Sequence, residues 1–372
     1  MSDGTDFEEE FPPESRPELA VDAEFALLLT HDVDRPYKTV QSLYHAVRHS
    51  DPRQLKGLLP GVNPWWQFEE IMALEDDLGV RSSFYFLREP HLLAREPGDW
   101  LDPFYWVEHA GRYELDTPEL LDVIDRLRDG GWEVGLHGSY DSYDDPDRLR
   151  TEKAVLESAL GGPVLGGRQH HLNRGSNTWR YHREVGLHYD ASPGSATEYG
   201  FQQGYRPFRP FDDEFVVFPL TLMENALPDP GEFPEAAWQV CEHLLEEAAT
   251  NDAVMSVLWH PRLFAERDFP GYRRVYRRLV ERALELGAWV GPAADYYGLM
   301  DHPERSVSKA EPVSEPQTGS APESECSDSG ADPAESDGGR SGDAKEADRS
   351  RVPPSQARDN KVKSTANTES TG

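Results

Sequence analysis

Between residues 23 and 302, short apolar runs alternate with segments in which apolar residues recur at helical spacing. FALLLTHDVD (25–34) is an apolar, strand-like run that ends in polar residues, and WQFEEIMALEDDLG (66–79) has a helical pattern closed by Gly79. RSSFYFL (81–87) reads as a strand. TPELLDVIDRLRDGG (117–131) opens with a Thr cap and Pro118 and ends in glycines, as a helix does, and WEVGLHGS (132–139) follows as a strand. The alternation continues with helices near 146–160, 178–186, 235–250 and 271–287. Strands are expected near 164–171, 188–192, 215–220 and 253–261.

Runs this apolar have no wet face, so the pattern predicts parallel strands covered by helices, an α/β fold. Seven or so such units favour a distorted (β/α)7-type barrel over an open sheet. The segment 88–116 carries Trp100, Phe104, Tyr105, Trp106 and Tyr113 among polar residues and reads as a long functional loop or lid.

The flanks are different. Residues 1–22 form an acidic, proline-containing extension. From 303 to 372 the chain lacks Phe, Trp, Tyr, Leu, Ile and Met, and its Ser, Glu, Asp, Pro and Gly content predicts a disordered acidic tail. Function is therefore expected within 23–302.

Charge narrows the partners. The chain holds 37 basic and 69 acidic residues, a formal net charge of −32. Such a field repels phosphate backbones and anionic membrane surfaces, so neither nucleic acid nor a membrane is the expected partner. Screening lengths shrink to about 3 Å near 1 M salt, where this self-repulsion largely disappears, and the surface predicts a halophilic cytoplasm. Two cysteines, Cys241 and Cys326, cannot make a disulfide framework. The N-terminus shows no secretory signal and no run approaches a membrane span, so a cytoplasmic protein is expected.

In parallel α/β folds chemistry gathers at the carboxyl ends of strands. In THDVD, alternation along a strand places Asp32 and Asp34 on one face, with His31 and Val33 on the other. Two neighbouring carboxylates repel unless a cation intervenes. LHGSYD adds His137 and Asp141, GRQHHLNR adds Arg168, His170 and His171, and LWHP adds His260. Imidazole and carboxylate are the ligands of catalytic zinc-type sites, in which three protein groups leave a position open for water. Trp65, Trp66 and Trp106 are candidates for stacking on sugar faces, with core or interface roles at least as natural.

With these residues in order, the chain resembles the polysaccharide deacetylase family (the NodB homology domain, a carbohydrate esterase type) over about 23–300, as a divergent, haloarchaeal-type member. THDVD is similar to the family's first motif, making Asp32 the general base and Asp34 a metal ligand. His137-Gly-Ser-Tyr-Asp141 resembles the family's H-[ST]-x-x-H, with an aspartate where the second histidine belongs. Arg168-Gln-His-His-Leu resembles R-x-P-Y-G, so Arg168 orients the base, and Asp190 falls near the acid of the next motif. Leu258-Trp-His260 matches the last motif and makes His260 the general acid. The third ligand is then Asp141 or His170, with His170 preferred. The resemblance implies a divalent metal, zinc or similar, and hydrolysis of an acyl group from an N-acylated sugar or glycan precursor. A non-sugar amide or cyclic imide, and a non-catalytic glycan-binding barrel, are the alternatives.

Overall fold

The computed structural model describes residues 16–301 except 39–40, 49–51 and 60. The tail expected at 303–372 and the first fifteen residues of the extension lie outside the described residues.

β1 (Phe25–Val33) is buried at all nine positions and stands at the centre of a nine-stranded parallel sheet. Its neighbours are β2 (Ser83–Leu87) on one edge and β8 (Val254–Leu258) on the other. Outward come β3 (Glu133–Gly138), β4 (Gly166–Gln169), β5 (Tyr189–Asp190) and β6 (Val216–Val217) beyond β2, and β7 (Leu222–Met223) beyond β8. β9 (Ala288–Gly291) pairs with Phe25–Leu28 while β2 pairs with Thr30–Val33, so these two share one edge of β1 in tandem.

The expected α/β architecture is present, with two short strands, β7 and β9, that the apolar pattern did not reveal. Helices follow the expected places: α1 (Gln41–Arg48), α2 (Phe68–Leu78), α3 (Pro103–Gly111), α4 (Pro118–Asp129), α5 (Pro146–Leu160), α6 (Thr178–Glu184), α7 (Pro234–Thr250), α8 (Tyr272–Glu285) and α9 (Ala293–Asp301). Of these, α1, α3 and α9 were not foreseen. Local chemistry sets the ends: Thr117 accepts from the Leu120 N–H at the start of α4, a cap worth about 1 kcal/mol, and Gly79 adopts φ 69° after α2. Among the described residues no helix is long and apolar enough to cross a membrane.

Alternation along the strands divides the core into two layers. Leu27, Leu29 and Val33 pack outward with Phe68, Leu120, Leu245 and Leu279 of the helices. Ala26 and Leu28 face inward with Tyr85, Tyr189, Phe218 and Tyr296. The sheet is strongly curled. Three strand spacings separate β1 from β4, about 14 Å in a flat sheet, yet Arg168 on β4 reaches Asp32 on β1 at 2.8 Å.

Glycines make room for the interior rings. A Cβ on Gly166 would lie 2.3 Å from the Tyr189 ring, and one on Gly135 2.6 Å from Tyr85. At the floor, Glu133 accepts from the Ala294 N–H at the start of α9, closing the barrel end opposite the site.

Candidate active site and metal centre

The carboxyl ends of β1, β3, β4 and β8 converge on one cavity of about 300 Å³, lined by Asp32, Asp34, His137, His170 and His260 among others. A larger cavity of about 550 Å³, bordered by Tyr37, Trp66, Glu119 and Asp122, lacks converging imidazoles. Chemistry therefore points to the smaller one.

Asp32 and Asp34 share a face as strand alternation requires, while His31 turns outward to Glu75 on α2 and Tyr276 on α8. Asp34 is the hub. Its Oδ1 lies 3.1 Å from His137 Nε2 and 3.8 Å from His170 Nε2, and its Oδ2 lies 3.1 Å from both His260 Nε2 and Arg262. Burial raises a carboxyl's pKa, but the charge of His260 and bonds from His137 and His260 hold Asp34 well below the ordinary range.

His137 donates from Nδ1 to the Arg168 carbonyl at 2.9 Å, which fixes its tautomer and leaves Nε2 facing Asp34. Burial drives His170 down to about 3, so its imidazole is neutral. Asp34, His137 and His170 place one potential ligand atom each within 4.8 Å of one another. His170 Nδ1 is buried without a hydrogen-bond partner. A carboxylate and two imidazoles, one of them neutral, form a donor set that suits a divalent cation of the zinc type.

Arg168 is 1% exposed and locks Asp32: its guanidinium donates to Asp32 at 2.8 Å, to Thr30 at 2.9 Å and to the Ala191 carbonyl at 2.8 Å. Breaking a buried pair of this kind by removing one partner costs roughly 3–5 kcal/mol. His260 has its own carboxylate, because Nδ1 lies 2.5 Å from Glu224, the residue that follows β7. Burial disfavours its charge and Arg262 opposes it, yet Glu224 and Asp34 hold His260 up at about 9. It is therefore protonated at neutral pH.

Two expected residues fall elsewhere. Asp141 is bound to Arg95, Arg148 and Tyr105 and stays outside the cluster, so His170 is the group that joins Asp34 and His137. Asp190 alternates outward on β5, where it accepts from Trp179 and Ser192, and the carboxylate beside His260 is Glu224. Of the tryptophans, Trp65 lines the cavity, whereas Trp106 is exposed and Trp66 packs on Tyr37 and Phe68.

Glu224, Glu108, Arg35 and Arg262 were missed. Glu224 ends an apolar run, as Asp32 does, and the same rule applied to LTLMEN finds it. Glu108 had no such signal, since it comes from α3 within the 88–116 segment and lies 3.7 Å from both His170 Nδ1 and His171 Nε2. The adjacent histidines do not alternate as in a strand. His171 and Leu172 adopt φ 57° and 58°, a left-handed turn costing roughly 1–3 kcal/mol per residue, and this turn brings both imidazoles to Glu108.

The chain is similar in structure to a protein assigned as a polysaccharide deacetylase from Mycobacterium smegmatis, with TM-score 0.52 and 16% identity over 82% of this chain and 99% of that one. The two share a fold. A protein with the same assignment from Pseudomonas aeruginosa PAO1 (TM-score 0.49, 18% identity, 76% of this chain and 93% of that one) and an allantoinase, Puue (0.49, 17%, 76% and 92%), are also similar. No protein-family signature matches the sequence, and no curated protein is detectably similar to it.

Proposed function

We propose that the protein is a metal-dependent hydrolase that removes an acyl group, acetyl foremost, from the nitrogen of an N-acylated sugar. The observation that carries this reading is the convergence of Asp34, His137 and His170 beside an Arg168-locked Asp32 and a protonated His260. Asp34, His137 and His170 would hold the cation, zinc or a similar ion. Such an ion supplies Lewis acidity toward the acyl oxygen and acidifies water.

The chain's own groups do the proton work. Asp32, oriented by Arg168, takes the proton of the attacking water. His260, kept charged by Glu224, donates a proton to the nitrogen as the C–N bond breaks, so the amine leaves neutral and acetate is released.

A cavity of about 300 Å³ sits at the small end of the range for small-molecule sites, about 300–1,000 Å³. That size favours a single sugar residue over a long bound glycan. It also supports a second reading, a small non-sugar amide or cyclic imide at the same centre. Acetate release from N-acetylglucosamine and short N-acetylated glycans, with zinc or cobalt added, compared with release from simple amides and ring opening of imides, tests the first reading against the second. Stoichiometric metal without turnover on any of these substrates would favour a glycan-binding barrel.

A further inference from the structure

We propose that the substrate carries an anionic group, carboxylate or phosphate, on the same sugar residue as its acylated nitrogen, and that Arg35 and Arg262 receive it; this rests on the hydrolase reading above and names its substrate class. Both arginines line the site cavity and keep part of their side chains open to it, 25% for Arg35 and 21% for Arg262. Arg262 follows Pro261 directly after the His260 strand end, and its Nη1 lies 3.1 Å from Asp34 Oδ2. Arg35, the residue after Asp34, lies 3.3 Å from Glu108 Oε1.

Charge balance gives these positions their meaning. Asp32 is paired with Arg168, and Glu224 with His260. That leaves Asp34 and Glu108 against Arg35 and Arg262, an even count without a cation. A divalent ion on Asp34 would add two positive charges to this group, in a chain whose net charge is −32. It also turns the Arg262–Asp34 attraction into competition, because Asp34 now serves the cation and the guanidinium is repelled by it. Arg262 is then left with donors facing the cavity. A planar guanidinium fork matches carboxylate and phosphate geometry, and either anion would offset that added positive charge. A neutral N-acetylated sugar would leave Arg262 only the Asp34 it shares with the cation, and Arg35 only Glu108.

Three probes of one size separate the possibilities: N-acetylglucosamine, its 6-phosphate and its uronic acid. With zinc-loaded full-length protein, we expect kcat/KM for one or both anionic probes to exceed that for the neutral sugar by at least 30-fold, and the arm that wins identifies phosphate or carboxylate. Arg262→Gln and Arg35→Gln are each expected to reduce that preference at least tenfold, mainly through KM. Calorimetric binding to the zinc-loaded Asp32→Asn variant gives an independent reading, with anionic probes binding at least tenfold more tightly than the neutral one. Equal kcat/KM and equal binding for the three probes would overturn the anionic subsite and leave the hydrolase reading standing. Tight anion binding with no turnover of any probe would keep the subsite and remove the hydrolase reading. Absence of both binding and turnover would overturn both.

Discussion

His260 Nδ1 lies 2.5 Å from Glu224 Oε1 while its Nε2 lies 3.1 Å from Asp34 Oδ2, so one imidazole joins the strand β7 carboxylate to the hub of the site. Glu224 is fully buried, and the pair holds a positive charge where a leaving nitrogen needs a proton. The consequence is a specific pH profile.

Activity is expected to fall as pH rises through about 9, where His260 loses its proton. Glu224→Gln removes the main group that raises this pKa, so the alkaline limb of kcat/KM moves to lower pH. Because the folded-state value lies above the ordinary 6.5, the pair's stabilisation is complete below about 6.5 and is lost as pH rises toward 9. Glu224→Gln therefore lowers the thermal midpoint more at pH 6 than at pH 9.5, by an amount on the order of a few degrees. An unmoved alkaline limb in this variant would contradict the acid assignment.

Arg168→Ala leaves Asp32 buried with its anchoring partner gone. A loss of roughly 3–5 kcal/mol in stability is expected, together with a fall in kcat of about 100-fold or more, the low end of a general base's contribution. Arg168→Lys keeps the charge but not the fork that reaches Thr30, Asp32 and Ala191 together, so activity is expected to stay well below wild type while part of the stability returns. Urea unfolding and steady-state kinetics on both variants check this.

Glu108 is the acceptor that faces the unpartnered Nδ1 of His170, at 3.7 Å. Ligand histidines held by a carboxylate lose roughly 10–100-fold in metal affinity when that carboxylate is removed. Glu108→Ala is expected to weaken zinc binding by about this factor with the fold intact, and Glu108→Asp to recover part of it. Competition with a chromophoric chelator measures both.

Much of this was legible because the chemistry sits where the apolar pattern ends. β1, β3 and β8 are long buried runs, so Asp32, Asp34, His137 and His260 could be placed on strand ends before any coordinates. Alternation correctly assigned Asp32 and Asp34 to one face. What escaped had weak local signals. β7 is two residues long, so the apolar run that Glu224 ends is much shorter than the one before Asp32. Asp190 was assigned by motif order alone, and strand alternation on β5 turned it outward because the neighbouring Tyr189 fills the barrel. Asp141 was drawn to the site by spacing from His137, but Arg95 and Arg148 offer it two guanidiniums. Glu108 arrives from an inserted helix, a tertiary relationship that no local pattern encodes.

The acidic surface makes a separate prediction. With a net charge of −32, repulsion opposes compaction at low ionic strength. Raising KCl from about 0.1 M to about 3 M shrinks the screening length from roughly 10 Å to below about 3 Å, and the thermal midpoint is expected to climb through that range. A flat midpoint in differential scanning calorimetry would mark an acidic protein with no need of salt.

The most direct test is elemental analysis of the purified protein beside Asp34→Ala, His137→Ala and His260→Ala. Asp34, His137 and His170 as the ligand set predict about one divalent ion per chain in the wild type, loss of that ion in the first two variants, and retention in His260→Ala with little turnover. Metal that persists in both Asp34→Ala and His137→Ala, or departs with His260→Ala, would contradict the account.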